Sequence, residues 1–457
     1  MHRILENLRG IVDEANCSIA DGPIFPHVTP REIRDHLARY DFSQPAALDR
    51  VCADVEHMLR DWHVQVTHPR YFGLFNPSVT FASVVADTLV AMYNPQLATW
   101  RTSPAANEIE RHTLEFLASK FGFPRDASAS FTTGGAEANL TAVVVALTKM
   151  FPEYAGGGVR ALKGTPVIYI TSEANHSFHK IAHMTGLGRQ SLREVATDAC
   201  LRMDVADLAR RVAEDRENGF VPFIVSGTAG TTAAGVIDPL PELARFCRSE
   251  NLWFHADAAW GGAAILSPRL KPYLAGIEAA DSITCDAHKW FSVSMGAGMF
   301  FCRHPEAVTA TFHAETPYMP AETPESLPDQ YTRSVQWSRR FIGLKLFLSL
   351  AERGESGYIE MIERQAHLAE VLRELLQRDG WRIVNATPLP VVWFTREGSA
   401  GHEFDASALV AALRERQIAW MSAVPHGATQ AVRACITSFH TTEADIEWVV
   451  QEMKRLL

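Results

Sequence analysis

Four short stretches carry side chains able to do chemistry, and each stands beside an apolar run that reads as a strand. Lys289 lies in Asp286-Ala287-His288-Lys289-Trp290. An amine in such company is either a surface group whose stem lies along apolar neighbours or an activated nucleophile. Asp257 ends the apolar run of Phe254-His255-Ala256-Asp257-Ala258-Ala259-Trp260. A carboxylate there is costly to bury unpaired, so it faces a cavity or pairs with a cation. His176 follows a third run, in Glu173-Ala174-Asn175-His176-Ser177. Thr133-Gly134-Gly135-Ala136 joins a strand pattern to a helix pattern. Glycines at a helix start let the backbone approach a ligand and aim free N–H groups at an anion, usually phosphate. No Gly-Lys-Ser/Thr follows and no GxGxxG is present, so this is neither a P-loop nor a dinucleotide fingerprint.

Singly, each feature has an ordinary structural reading, a tight turn or a satisfied polar group. In this order they meet the needs of pyridoxal 5′-phosphate (PLP). The loop binds the phosphate and the imidazole packs on the ring. The carboxylate keeps the pyridine nitrogen protonated, and the lysine forms the Schiff base. Two other motifs are set aside. His176, His179 and His183 share one helical face, but no carboxylate joins them, so no metal site is expected. Gly156-Gly157-Gly158 lacks a phosphate-loop context and reads as a connector.

Positioning these groups requires an α/β frame. Strand candidates at 130–132, 167–171, 223–226, 252–256, 282–285 and 298–302 are nearly continuously apolar, as strands buried on both faces are. Helical patterns such as 136–150 and 239–249 separate them, which predicts a layered α/β domain with a mostly parallel sheet. Upstream, helices are expected after Thr29-Pro30-Arg31-Glu32 and over 46–62. Residues 1–65 thus form a helical segment, amphipathic enough to act as an arm on a second subunit. The large domain spans 66–345. Its proline-rich segment 311–333 is long for an internal connection and reads as a functional lid. A small α+β domain fills 346–457, after a long helix expected over 339–377. It holds strands at 391–395 and 434–437 and helices at 406–416 and 443–457.

The chain has 457 residues, with 43 Lys and Arg against 53 Asp and Glu, a net charge of −10. That balance argues against nucleic acid and anionic membranes as partners. No apolar run approaches the roughly 20 residues that span a bilayer. Seven scattered cysteines without CxxC read as reduced thiols in a cytoplasmic protein, with Cys285 the candidate for chemical modification.

The sequence resembles the group II PLP-dependent amino-acid decarboxylases, which act on aromatic amino acids, histidine or glutamate. The likeness rests on His68-Pro69-Arg70-Tyr71-Phe72, Ser103-Pro104-Ala105 with Glu108 and Glu110, and residues 133–139 and 255–259. His288-Lys289-Trp290, Arg339-Arg340-Phe341 and Leu344-Lys345 complete it. It implies the PLP-dependent transferase fold (fold type I) and a homodimer with the active site at the subunit interface. By it, Lys289 is the Schiff-base lysine, Asp257 the pyridinium partner and His176 the stacking residue. Thr133, Gly134, Gly135, Ala136, Asp286 and His288 lie on the phosphate side, with Thr231 and Ala259 near the ring. Tyr318, 29 positions beyond Lys289, matches the loop tyrosine that returns a proton to Cα, and Tyr331 is its competitor.

The departures concern the phosphate side and the substrate. Asp286 stands where aromatic decarboxylases carry Asn. Ala136 replaces a hydroxyl residue, which Thr133 or a partner-subunit group would make good. Leu74-Phe75 replaces an aromatic pair, and Trp100 and Arg101 are expected near the mouth of the substrate pocket. Arg101 suits an acidic substrate or a surface salt bridge. The expected activity is α-decarboxylation of an L-amino acid, aromatic by slight preference. The alternatives are an acidic or other non-aromatic substrate, an aldehyde-forming oxidative deaminase, or a silent PLP-binding homologue.

Overall fold

A computed structural model describes residues 20–76, 78–314, 329–397, 404–427 and 429–456. Its contacts gather into two compact units. The larger takes the described residues of Val79–His367 with Asn385–Val391, and the smaller takes those up to Ser78, Leu368–Val384 and those from Val392 onward.

The three consecutive spans expected from the sequence are therefore redrawn. Hydrogen bonds cause the change: Phe72 N donates to Trp420 O and Cys435 N to Phe72 O, both at 2.9 Å. Ile24 N donates to the Gln417 side chain at 2.8 Å. Bonds between partners so distant in sequence leave no local pattern.

The larger unit is built on a seven-stranded sheet: β1 (Ser128–Thr132), β2 (Thr165–Thr171), β3 (Leu192–Val195), β4 (Phe220–Thr228), β5 (Trp253–Asp257), β6 (Ser282–Asp286) and β7 (Gly298–Cys302). The order is β1-β7-β6-β5-β4-β2-β3. Pairs among β2 to β6 are parallel, and β7 runs antiparallel to both β6 and β1. Six strands therefore end at one edge, the edge where open α/β sheets bind ligands. The six predicted strands are all present. β3 was not anticipated, because this edge strand is only partly buried and lacks an apolar run.

The helix Gly135–Met150 presents Ala138, Ala142 and Ala146 at four-residue intervals to a core containing Ile168, Ile170, Phe223, Ile224 and Phe300. Small side chains at that spacing allow close packing on the sheet.

The smaller unit carries β8 (Arg382–Ile383), β9 (Val391–Thr395), β10 (Ser422–His426) and β11 (Thr429–Cys435), in the order β10-β11-β9-β8. Val392, Phe394, Val432 and Ala434 pack there with Leu409, Leu413, Ile446 and Val450 from the helices Ala406–Glu415 and Glu443–Arg455. β10 occupies an edge, where Pro425 costs the ladder no shared donor. Upstream, the two expected helices are present: Pro30–Leu37, on which Thr29 and Glu32 form a capping box, and Leu48–Asp61.

The long helix expected over 339–377 runs Leu344–Arg378 and is interrupted. Gly354 has φ 66° and ψ 174°, a backbone conformation open essentially to glycine, so the segment is two helices end to end. No described helix is long and apolar enough to cross a membrane.

Candidate active site

Strand β6 delivers Asp286 at its last position, and a tight turn brings Lys289 back toward it. Lys289 Nζ lies 2.9 Å from Asp286 Oδ2. Asp286 is buried, and no backbone N–H among the described residues donates to its carboxylate. Burial alone would lower the Lys289 pKa, but the charges of Asp286 and then Asp257 outweigh it and hold the ammonium above the usual lysine range. His288 is fixed by its neighbours: its N–H donates to Ala297 O, and its Nδ1 accepts from Ala297 N, each at 3.1 Å. Burial pulls the His288 pKa down, so the ring stays neutral with its proton on Nε2.

Asp257 ends β5 fully within the interior. Its Oδ2 accepts from Asn139 Nδ2 at 2.9 Å and its Oδ1 from Ala259 N at 3.1 Å. Burial raises its pKa and the Lys289 charge partly offsets that rise. Both donors are neutral, so neither supplies a charge to balance the carboxylate. Asn139 is a site residue to which no role was given in advance. In the sequence it stood as the last residue of the 133–139 motif, one helical turn after Gly135.

The glycine loop closes the other side. A Cβ on Gly135 would sit 2.9 Å from Asp286 Oδ2 and 3.4 Å from Ala259 Cβ, so only glycine fits there without displacement. Gly135 and Ala136 open a helix whose first N–H groups have no intrahelical acceptor. Thr133 differs from expectation: its N–H and hydroxyl donate to Glu137 Oε2 at 2.8 and 2.6 Å. Gln336 Nε2 holds the same carboxylate at 2.8 Å. The Thr133 hydroxyl is thus engaged within the chain. Beside it opens a cleft of about 650 Å³, lined by Asp87, Thr133, Glu137, Gln336, Arg340 and Lys345 among others.

Thr231 is buried in the turn after β4, where its hydroxyl accepts from Val236 N at 3.1 Å. Asp238 braces that turn by accepting from Thr228 N and Met203 N, both at 2.7 Å. His176 immediately precedes the helix Ser177–Met184, and its ring stacks with His179 at 5.7 Å. The next residue, Ser177, lies 3.4 Å from the same Asn139 Nδ2 that holds Asp257. The ends of β1, β2, β4, β5 and β6 thus supply every cofactor residue named from the sequence.

The expected pocket residues are divided between the two units. Leu74 and Phe75 belong to the smaller unit, where Phe75 is buried beneath the Arg433 guanidinium. Trp100 turns its indole N–H to Glu108 at 2.9 Å, and Arg101 is exposed. Tyr318 lies outside the described residues. Tyr331 has its ring against Trp337 at 4.9 Å. Cys285 is buried, and burial pushes its thiol well above the ordinary range, so the expected susceptibility to modification is reversed.

The residues fit pyridoxal phosphate: a buried carboxylate held only by neutral donors, a partly accessible lysine and a helix start cleared by glycine. Comparison with known proteins agrees. Residues 30–396 match the pyridoxal-dependent decarboxylase conserved domain. An aromatic-L-amino-acid decarboxylase from Bacillus atrophaeus is 30% identical over 86% of this chain and 82% of its own. An acidic amino acid decarboxylase from Mus musculus is 27% identical over 93% of this chain and 80% of its own. The crystal structure of mouse CSAD in apo form superposes with a TM-score of 0.93 at 25% identity, covering 100% of this chain and 98% of that one. The fold is that of the PLP-dependent decarboxylases, as expected. With Lys289, Asp257 and the glycine loop assembled at one sheet edge, the chain belongs to the pyridoxal-dependent decarboxylase family, carboxy-lyases that use PLP.

Proposed function

We propose that this enzyme removes the α-carboxyl group of an L-amino acid, an aromatic one by preference, releasing CO₂ and the amine. The observation that carries the reading is the juxtaposition of Lys289 with two buried carboxylates, Asp286 and Asp257. When bound, PLP supplies the sink for the electron pair that loss of CO₂ leaves on Cα. Lys289 holds the cofactor covalently, and Asp257 holds the proton on its ring nitrogen. The loop 133–136 and His288 bind the phosphate, with Asp286 beside them, while Thr231, Ala259 and His176 flank the ring. Tyr318 delivers a proton to Cα, which directs the outcome to amine rather than aldehyde. The aromatic preference draws on the Bacillus relative. Arg101 and the mouse relative favour an acidic substrate as the second reading. A CO₂-release screen over the common L-amino acids decides between them, and release from none of them overturns the proposal.

The proposal extends to a cytoplasmic homodimer. Phe81, Val85, Leu89 and Met92 form an exposed apolar stripe on the helix Phe81–Tyr93, and Leu48, Val55 and Leu59 another on Leu48–Asp61. A second copy of the chain is the natural cover for stripes of this kind. Light scattering on the purified protein tests it, with a monomer as the contrary result.

A further inference from the structure

Behind Asp257 lies a file of buried polar side chains. Trp253, His255 and Asp257 alternate along β5 and so share one face, with His255 paired to Ser282 and Asp257 to Thr284 of β6. Trp253 Nε1 lies 2.8 Å from Ser282 Oγ, which lies 2.8 Å from His255 Nδ1. His255 Nε2 lies 3.1 Å from Asn139 Oδ1 and 3.5 Å from Thr284 Oγ1. Asn139 Nδ2 then reaches Asp257 Oδ2 at 2.9 Å and Ser177 Oγ at 3.4 Å.

The two ends fix the direction of every bond. An indole N–H only donates, and a carboxylate that pairs with a protonated ring nitrogen only accepts. Asn139 must therefore turn its NH₂ to Asp257 and its carbonyl oxygen to His255. His255 must carry its proton on Nε2 and accept at Nδ1 from the Ser282 hydroxyl. Full burial pushes the His255 pKa down to about 3, which keeps the ring neutral with one N–H to give. A reversed Asn139 amide would set oxygen against carboxylate and N–H against N–H, losing two hydrogen bonds at once.

We propose that Asn139 is a positioning residue for the cofactor, aiming Asp257 at the pyridine nitrogen while bridging to the His176 segment, and that His255 acts through Asn139. This rests on the reading of Asp257 as the ring-nitrogen partner. Neither side chain is required to touch the cofactor.

The test is PLP titration of apo-protein variants by visible absorbance, with far-ultraviolet circular dichroism and apo melting temperature confirming the fold. Asn139→Ala should weaken PLP binding about tenfold, the loss of one hydrogen bond to a charged group, and alter the bound cofactor's visible band. His255→Gln returns an N–H near the Nε2 position and should bind PLP like wild type. His255→Asn places its amide near Nδ1 instead and should lose affinity as Asn139→Ala does. The double variant Asn139→Ala/His255→Asn should be no weaker than Asn139→Ala alone. Additive losses, or equal affinities for the Gln and Asn variants, overturn the action through Asn139. Wild-type affinity in Asn139→Ala, alongside weak binding in Asp257→Asn, overturns the inference and leaves Asp257 in its role. Wild-type affinity in Asp257→Asn overturns both.

Discussion

Lys289 Nζ lies 2.9 Å from Asp286 Oδ2, three positions earlier at the end of β6, inside a site that must also accept a phosphate. Burial favours the neutral amine, but the charge of Asp286 outweighs it and favours the ammonium form. Asp286 is thus placed to set the readiness of the amine.

The first expectation concerns that pair. Because the Lys289 pKa is raised, the free amine grows in as pH rises, and the rate of PLP incorporation into apo-protein should climb through the alkaline range. Asp286→Asn should shift that profile to lower pH, by about tenfold in rate at fixed pH for each pKa unit removed. The stabilising part of the pair is complete below the unfolded lysine pKa, near 10.4, and fades only above it. Stopped-flow absorbance across pH reads the shift, and superimposable profiles would detach Asp286 from this role.

Lys289→Ala should nearly abolish turnover. In the unmodified protein, borohydride should leave PLP attached to Lys289, visible as a mass increment on its peptide. Full activity in the variant, or label on another lysine, removes Lys289 from its place.

Tyr318→Phe should divert product from amine toward aldehyde, while Tyr331→Phe should leave the ratio unchanged. Chromatography of the products measures both. A reversed pattern would make Tyr331 the proton donor.

Arg339 and Glu110 are fully buried, paired at 2.6 Å, with Arg339 also bonded to Phe131 O and Glu110 to Gly343 N. Removing one partner strands the other charge in the interior. Glu110→Ala should therefore cost about 3–5 kcal/mol in urea unfolding. A loss under 1 kcal/mol would mean that water reaches the site.

Asp238 sets a pH dependence. Burial raises its pKa to about 6, well above an unfolded carboxyl group. The folded chain thus holds the proton more tightly, and this contribution to stability declines as pH rises from about 4 through about 6. Relative to Asp238→Asn, the protein should lose on the order of 2–3 kcal/mol between pH 4 and 7. Parallel stability curves would show that the buried carboxyl group titrates normally.

Much of this architecture was legible in advance because its signals are local. Parallel strands buried on both faces write themselves as apolar runs, so β1, β2, β4, β5, β6 and β7 could be found without coordinates. β3 and β10, partly exposed, left no such run. The Gly354 interruption was missed because helical periodicity continues on both sides of one glycine.

The sequence by itself determined the family and its cofactor: the motifs around Lys289, Asp257, His176 and the Gly134-Gly135 turn stand in it as residue types in order. Tertiary structure alone decided what surrounds them. That Asp286 pairs with Lys289, that Glu137 occupies Thr133, and that Asn139 reaches Asp257 across 118 positions are facts of strand order and helix packing. Hydrogen bonds and charge pairs depend on distances in space, and a chain written in one dimension does not record them.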